Sequence, residues 1–145
     1  MMKMKYAILA SVLVFSGCDK LGQQANIPDP SPQQVQAAQE AYDDLRAQNF
    51  DRLMTHFEPE LQARYQGNQK DMQKFARGLP QENYKTKKIV SKKLLNESNQ
   101  PSKYTVTYEY AYDKNLVQYD VSFDKPNGSS KIRDISVSVF GEKIE

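Results

Sequence analysis

From Tyr104 to Phe123 apolar and polar residues alternate with a period of two, and this pattern limits the fold more than any other feature. Tyr104, Val106, Tyr108, Tyr110 and Tyr112 interleave with Thr105, Thr107, Glu109 and Ala111. After Asp113-Lys114-Asn115, the residues Val117, Tyr119, Val121 and Phe123 interleave with Gln118, Asp120 and Ser122. Such spacing puts one set of side chains on each face of a strand and does not fit a helix. The loop Lys125–Ser130 carries Pro126 and Asn127-Gly128, a turn signal. A last strand then places Ile135, Val137 and Val139 opposite Asp134, Ser136 and Ser138. Ile132 is out of phase with that set, which predicts a bulge near Arg133 or a solvent-side exception. The alternation extends back to Tyr84, giving about four strands. Strands of about ten residues exceed the usual five or six, so the meander must twist and curl.

Upstream the period is 3.6. Ser31, Pro32 and Gln34 predict a helix start with a capping box. Val35, Ala38, Ala41, Tyr42 and Leu45 then form one apolar stripe. A second helix after Asn49 would bury Phe50, Leu53, Met54 and Phe57. Pro59 ends or restarts it, with Leu61 and Tyr65 beyond. A third starts near Asn68, buries Met72, Phe75 and Ala76, and stops at Gly78 before Pro80. The Met and aromatic positions read as core. Helices first and strands second predict an α+β domain over 31–145. Its N-terminal helices would pack on the concave side of a curved antiparallel sheet.

The amino-terminal segment reads differently. Lys3 and Lys5 precede the apolar run Tyr6–Phe15 and then Ser16-Gly17-Cys18, the layout of a secretory signal. The run falls short of the ~18–20 apolar residues that span a bilayer. Cys18 directly after Ser-Gly resembles the lipobox of bacterial lipoproteins, with Phe15 where that family prefers an aliphatic residue. The resemblance implies a signal peptide over 1–17 and cleavage before Cys18. It also implies a diacylglycerol thioether, usually with a third acyl chain, on that cysteine. Each buried methylene contributes ~0.8 kcal/mol, so several acyl chains anchor stably where one would not. The remaining alternative is an ordinary secretory signal with a buried Cys18. Residues 18–30 follow as the lipidated cysteine and a polar tether with Pro28 and Pro30. The expected location is the cell envelope, on the inner or outer membrane, with the domain facing the periplasm.

The order of elements resembles the nuclear-transport-factor-2-like superfamily, a cystatin-like α+β roll, over roughly Ser31–Phe140. The segment Leu45–Leu61 (LRAQNFDRLMTHFEPEL) is similar to a stretch in small lipoproteins of that superfamily. Enzymes of the superfamily use a pocket between sheet and helices, lined by an acid, a base or a Tyr. Here Glu109, Asp120 and Asp134 fall on the polar face of their strands and would point to solvent, which argues against acid–base catalysis.

Few other residues suggest chemistry. His56 is the single histidine and sits off the Phe50/Leu53/Met54/Phe57 stripe. It reads as a surface or cap residue, or as the base of a small hydrolase or isomerase if it faces a cavity. One His and one Cys give no common metal site, and no carboxylate spacing suggests a calcium loop. No glycine-rich phosphate loop or Gly-x-Ser-x-Gly elbow occurs, and no cofactor is expected. Removing Lys3 and Lys5 leaves 18 basic against 18 acidic residues, which gives no case for nucleic-acid binding. Two clusters stand out. Lys85, Lys87, Lys88, Lys92 and Lys93 form either a patch for anionic lipid headgroups or an edge strand guarded by lysines. Tyr104, Tyr108, Tyr110, Tyr112 and Tyr119 line a ligand pocket or interface, or form an amphipathic core face. The expectation that follows is a non-catalytic envelope lipoprotein that binds a protein partner or a small hydrophobic ligand. The rivals are the His56 enzyme and an immunity or inhibitor lipoprotein that neutralises a toxin at the membrane.

Overall fold

The capping pattern at Ser31 starts the first helix where it predicts. Ser31 Oγ accepts a hydrogen bond from the Gln34 N–H at 3.2 Å, and Gln34 Oε1 accepts from the Ser31 N–H at 3.1 Å. Helix α1 spans Pro32–Arg46. It belongs to a computed structural model that describes residues 26–142. The segment 1–17, Cys18 and the first part of the tether lie outside the described residues.

The buried face of α1 consists of Gln34, Ala37, Ala38, Ala41, Tyr42, Asp44 and Leu45. Val35, expected to open the stripe, lies half-buried at its margin. Gln34 takes the inner position, fully buried, because its amide is satisfied there. Nε2 donates to Lys125 O at 2.9 Å and Ser129 O at 3.2 Å, while Oε1 also accepts from the Asn127 N–H at 3.2 Å. A polar group at such a site is tolerated only when its hydrogen bonds are met. One side chain therefore caps a helix and holds the loop before the last strand.

Three shorter helices follow: α2 (Phe50–Met54), α3 (Pro59–Gln66) and α4 (Gln69–Arg77). Pro59 restarts the helix at the first position of α3, where its missing N–H costs nothing. Leu53, Phe57, Leu61, Tyr65, Met72 and Ala76 are core residues. Phe50, Met54 and Phe75 pack on the core's margin.

The sheet is an open antiparallel meander in the order β1-β2-β3-β4. Its strands are β1 (Thr86–Leu95), β2 (Lys103–Ala111), β3 (Asn115–Phe123) and β4 (Asp134–Gly141). The register sets Tyr108 opposite Tyr119 and Val121 opposite Ile135, so the apolar sets of the strands share one face. The helices cover that face, and the chain is an α+β protein as the two periodicities predict. Pro126 and Asn127, with φ 56° at the latter, close the turn in which the Gly128 N–H donates to Lys125 O at 3.1 Å. Gly141 has φ +108°, and a Cβ there would lie 2.2 Å from Lys114 O, so β4 ends on a position that only glycine fits.

Ile132 obeys neither sequence expectation. It lies before β4, fully buried, in an isolated parallel bridge with Phe57. The Ile132 N–H donates to His56 O at 2.7 Å, and the Glu58 N–H donates to Ile132 O at 2.8 Å. The apparent phase error thus marks a change of partner from the α2–α3 connection to β3. The sheet's register irregularity falls instead in β1, between Ile89 and Ser91.

The tether also ends earlier than its composition suggests. Ile27 packs against the core and Pro30 is buried. Tyr104 OH donates to Pro28 O at 2.6 Å, and Lys92 Nζ reaches Ile27 O at 2.8 Å and Asp29 Oδ1 at 2.7 Å. Two prolines favour an extended backbone, and here that backbone is fastened to the sheet.

Gln34→Ala leaves a loop N–H and two carbonyls without their partner, each at about 1–3 kcal/mol if water cannot replace it. Urea unfolding of that variant should show a loss of roughly 2–4 kcal/mol at unchanged slope. Tyr108→Phe should do the opposite, because the Tyr108 hydroxyl is buried without a partner. Its removal should leave stability equal or higher by up to about 1–2 kcal/mol. A clear loss on Tyr108→Phe would contradict that assignment.

Candidate functional site

The tyrosines singled out by their alternation do come together. Tyr104, Tyr108, Tyr110 and Tyr119 point from β2 and β3 towards the helices, Tyr112 follows just past β2, and all five are buried. Tyr42 of α1 completes the cluster. Its ring stacks on Tyr110 at 4.0 Å between centroids with 7° between planes, and lies 5.2 Å from Tyr119. Tyr84 closes the group edge-on to Tyr110 at 4.9 Å.

Most of the hydroxyls bond within the protein. Tyr42 and Tyr112 share a hydrogen bond of 2.6 Å, and Tyr119 donates to Ala38 O at 3.1 Å. Tyr110 donates to Gln39 Oε1 at 3.3 Å. Burial pushes the Tyr104 and Tyr108 hydroxyls up to about 12. It raises Tyr42, Tyr110 and Tyr119 further, with the Tyr112 hydrogen bond adding to the effect at Tyr42. These groups stay protonated near neutral pH and cannot serve as bases there. Arg46, at the end of α1, sets its guanidinium over the Tyr42 and Tyr112 rings at 5.7 and 5.8 Å. It also donates to Pro80 O at 3.0 Å and Glu82 O at 2.7 Å.

The five lysines do not share a face. Lys87 and Lys92 of β1 pair with Tyr110 and Val106, which puts them on the helix side. Lys88 and Lys93 pair with Glu109 and Thr105, on the uncovered side. Lys87 donates to Gln39 Oε1 and lies over the Tyr108 ring at 4.9 Å, and burial lowers its pKa. Lys85 pairs with Asp113, and Lys88 with Glu109 at 3.3 Å. Lys93 is exposed.

Of the acids of the polar alternation, Glu109 and Asp120 lie on the uncovered side and Asp134 lies at its margin beside α3. Asp120 accepts from Thr107 Oγ1 at 2.5 Å, and Asp134 pairs with Lys103 at 2.7 Å. Glu109 completes the set through Lys88. Glu109 and Asp120 are matched on the sheet surface, whereas Asp134 also lies 3.5 Å from Arg64 of α3 and lines an open depression of about 550 Å³ with Glu58, Lys103 and Arg133.

His56 is neither free in solvent nor inside a cavity. Its Nε2 lies 3.1 Å from Asp44 Oδ2 on α1 and 3.9 Å from Glu40. Arg52 stands 3.8 Å from the same aspartate. His56 borders an open depression of about 240 Å³ lined by Gln36, Glu40, Ser130 and Lys131. Asp44 fixes the imidazole's orientation, as a carboxylate does behind a catalytic base. The position of Asp44 is readable on a helical wheel, between Ala41 and Leu45 on the buried side. Its partner, twelve residues on across a turn, is not.

Among the described residues no cluster of His, Cys, Asp and Glu fits a metal ion, and no helix is long and apolar enough to cross a membrane. A cleft of about 170 Å³ between Phe50, Met54, Tyr65 and Met72 is smaller than the usual ~300–1,000 Å³ of ligand sites. Comparison of the chain with protein-family models, with curated proteins and with solved structures finds no match.

The buried hydroxyls make a pH prediction. Tyr42, Tyr65, Tyr104, Tyr108, Tyr110, Tyr112 and Tyr119 all have raised pKa values in the folded protein. A raised pKa contributes stability that is complete below the unfolded value of about 10. It is lost as pH rises from there towards the folded value. Each tyrosine removes up to about 1.4 kcal/mol per pH unit in that window, so a total stability of order 5–15 kcal/mol is exhausted within about two units above pH 10. Tyrosinate absorbance and loss of circular dichroism should therefore rise together in one cooperative step. Gradual tyrosine titration of an intact fold would refute this.

Proposed function

We propose that this chain is a membrane-anchored, periplasm-facing lipoprotein, lipidated on Cys18, whose α+β domain binds a protein partner and does not catalyse. The observation that carries the binding part is the tyrosine stack. Enzymes of the nuclear-transport-factor-2-like superfamily, to which we assign the domain on its order of elements, keep a pocket between sheet and helices. Here rings in contact occupy that space. Recognition then falls to the outside of the domain. The uncovered sheet face, with Thr105, Thr107, Gln118, Ser136 and Ser138, offers hydroxyls and an amide, and Phe140 stands half-exposed at the edge of β4. A polar face with one aromatic anchor has the composition of a transient protein interface. The anchor part rests on Lys3, Lys5, the apolar run Tyr6–Phe15 and Ser16-Gly17-Cys18.

Two other readings have one observation each. A small hydrophobic ligand would fit the open groove of about 600 Å³ beside Pro30, Pro32, Val35 and Lys87. Catalysis would need the Asp44–His56 pair, whose imidazole has a fixed orientation and borders the shallow depression.

The anchor is tested by palmitate labelling in cells, which the native chain should take up and Cys18→Ala should not. Equal labelling of both would end the lipoprotein reading. For the domain, a photoreactive residue at Gln118 or Phe140 should crosslink one envelope protein, whereas His56→Ala should leave that crosslink intact. The same His56 variant should lose about 1 kcal/mol of stability through the Asp44 hydrogen bond. Loss of the crosslink at full stability would favour a working role for His56.

A further inference from the structure

We infer that the β1 edge of the domain lies against an anionic membrane surface, so that the anchored protein stands edge-on with β4 away from the lipid. This inference rests on the lipid anchor proposed at Cys18. It starts from the contacts made by residues 27–29. Ile27, Pro28 and Asp29 are fastened to Lys92 of β1 and to Tyr104 of β2, and Tyr104 pairs with Leu94 of β1. Eight residues separate Cys18 from Ile27. Covalent geometry limits the distance between those two Cα atoms to roughly 30 Å. The chain thus reaches the domain at its β1 side, and β4 lies three strands further, about 14 Å across the sheet.

The chemistry of that edge matches a headgroup layer. Residues 85–95 (KTKKIVSKKLL) hold five lysines and no acid. Asp113, Glu109 and Asp29 offset three of them, leaving the edge with a surplus of positive charge. The same strand carries Ile89, Val90, Leu94 and Leu95, four of the five large apolar side chains that stand exposed among the described residues. Basic groups interspersed with exposed apolar ones suit the boundary between headgroups and acyl chains. The division of the lysines between two faces prevents a sheet-face patch but suits an edge-on approach. In that pose Lys88 and Lys93 reach down beside the strand with their stems along the apolar residues, while Lys87 and Lys92 keep their partners on the helix side.

A second copy of the chain fits this edge poorly. Antiparallel pairing of β1 with itself about Val90 would set Lys87 against Lys93 and Lys88 against Lys92, and like charges placed opposite one another destabilise a sheet. An open strand with exposed apolar residues does suit an acidic protein segment, and that occupant must be an outcome of any test.

The chain has no tryptophan, so a single one reports position. Lipidated full-length protein carrying Leu95→Trp, or Phe140→Trp at the far edge, is reconstituted in vesicles of phosphatidylglycerol and phosphatidylcholine. Part of the lipid is brominated to quench indole at the membrane. Flotation with the vesicles checks the anchor independently. The expected result is quenching at position 95 at least about two-fold stronger than at position 140, and weaker in Lys88→Gln/Lys93→Gln protein. Protein that floats but shows equal quenching at the two positions, or stronger quenching at 140, overturns the edge-on pose while leaving the anchor intact. Protein that does not float overturns the anchor, and this inference with it. A photoreactive group at position 95 that crosslinks an acidic protein rather than lipid in native envelopes also overturns it. Circular dichroism matching the native chain confirms that each reporter protein is folded.

Discussion

The ring of Tyr42 lies flat on Tyr110 and its hydroxyl shares a hydrogen bond with that of Tyr112, and the helix side of the sheet is arranged around that contact. Ala38 and Ala41 let α1 approach the strands closely enough for the stack to form. Ala38 also supplies the carbonyl that receives the Tyr119 hydroxyl. Arg46, one turn further on, covers the cluster and ties it to the segment before β1. A large aromatic side chain buries about 150–250 Å², so several in mutual contact supply much of the core without tryptophan or a disulfide. The same packing fills the space between α1 and the sheet with side chains.

With its interior closed, the protein presents two unlike surfaces. The uncovered face of the sheet is nearly balanced in charge, its carboxylates matched by Lys88, Lys103 and the Thr107 hydroxyl. The β1 edge has its basic groups and apolar residues interspersed. Exposed ion pairs contribute little to stability, so their arrangement matters more for what approaches each surface than for holding the fold together.

Much of the fold is written locally. The capping residues of α1, the proline restart of α3, the glycine end of α4 and the alternation of β2 and β3 each depend on neighbours a few positions away. The inward set of tyrosines was legible for the same reason. What escaped depends on contacts distant in sequence. The burial of Gln34 makes sense only with a loop 91 residues downstream. Ile132 answers to Phe57, and Ile27, Pro28 and Asp29 belong to the domain because Lys92 and Tyr104 meet them. Adjacent lysines must split between the faces of a strand, but that Lys87 shares a face with Lys92 rather than with Lys93 turns on the irregularity between Ile89 and Ser91, which no residue nearby announces. His56 looked like a surface residue because Asp44, its partner, belongs to another helix.

The joint made by Gln34 also bears on the order in which the molecule assembles. Each strand pairs with the one made just before it, so the meander closes short loops. Helix α1, in contrast, meets Tyr112 across 70 residues and the loop at Ser129 across 95. Contacts of such separation are slow to form, because loop-closure entropy must be met before they reward it. During synthesis the first helix emerges long before any surface exists to receive its apolar face, and it gains that surface only once β3 has been made. The core that α1 completes therefore cannot close around Tyr42 and Ala38 before β2 and β3 are there to receive them.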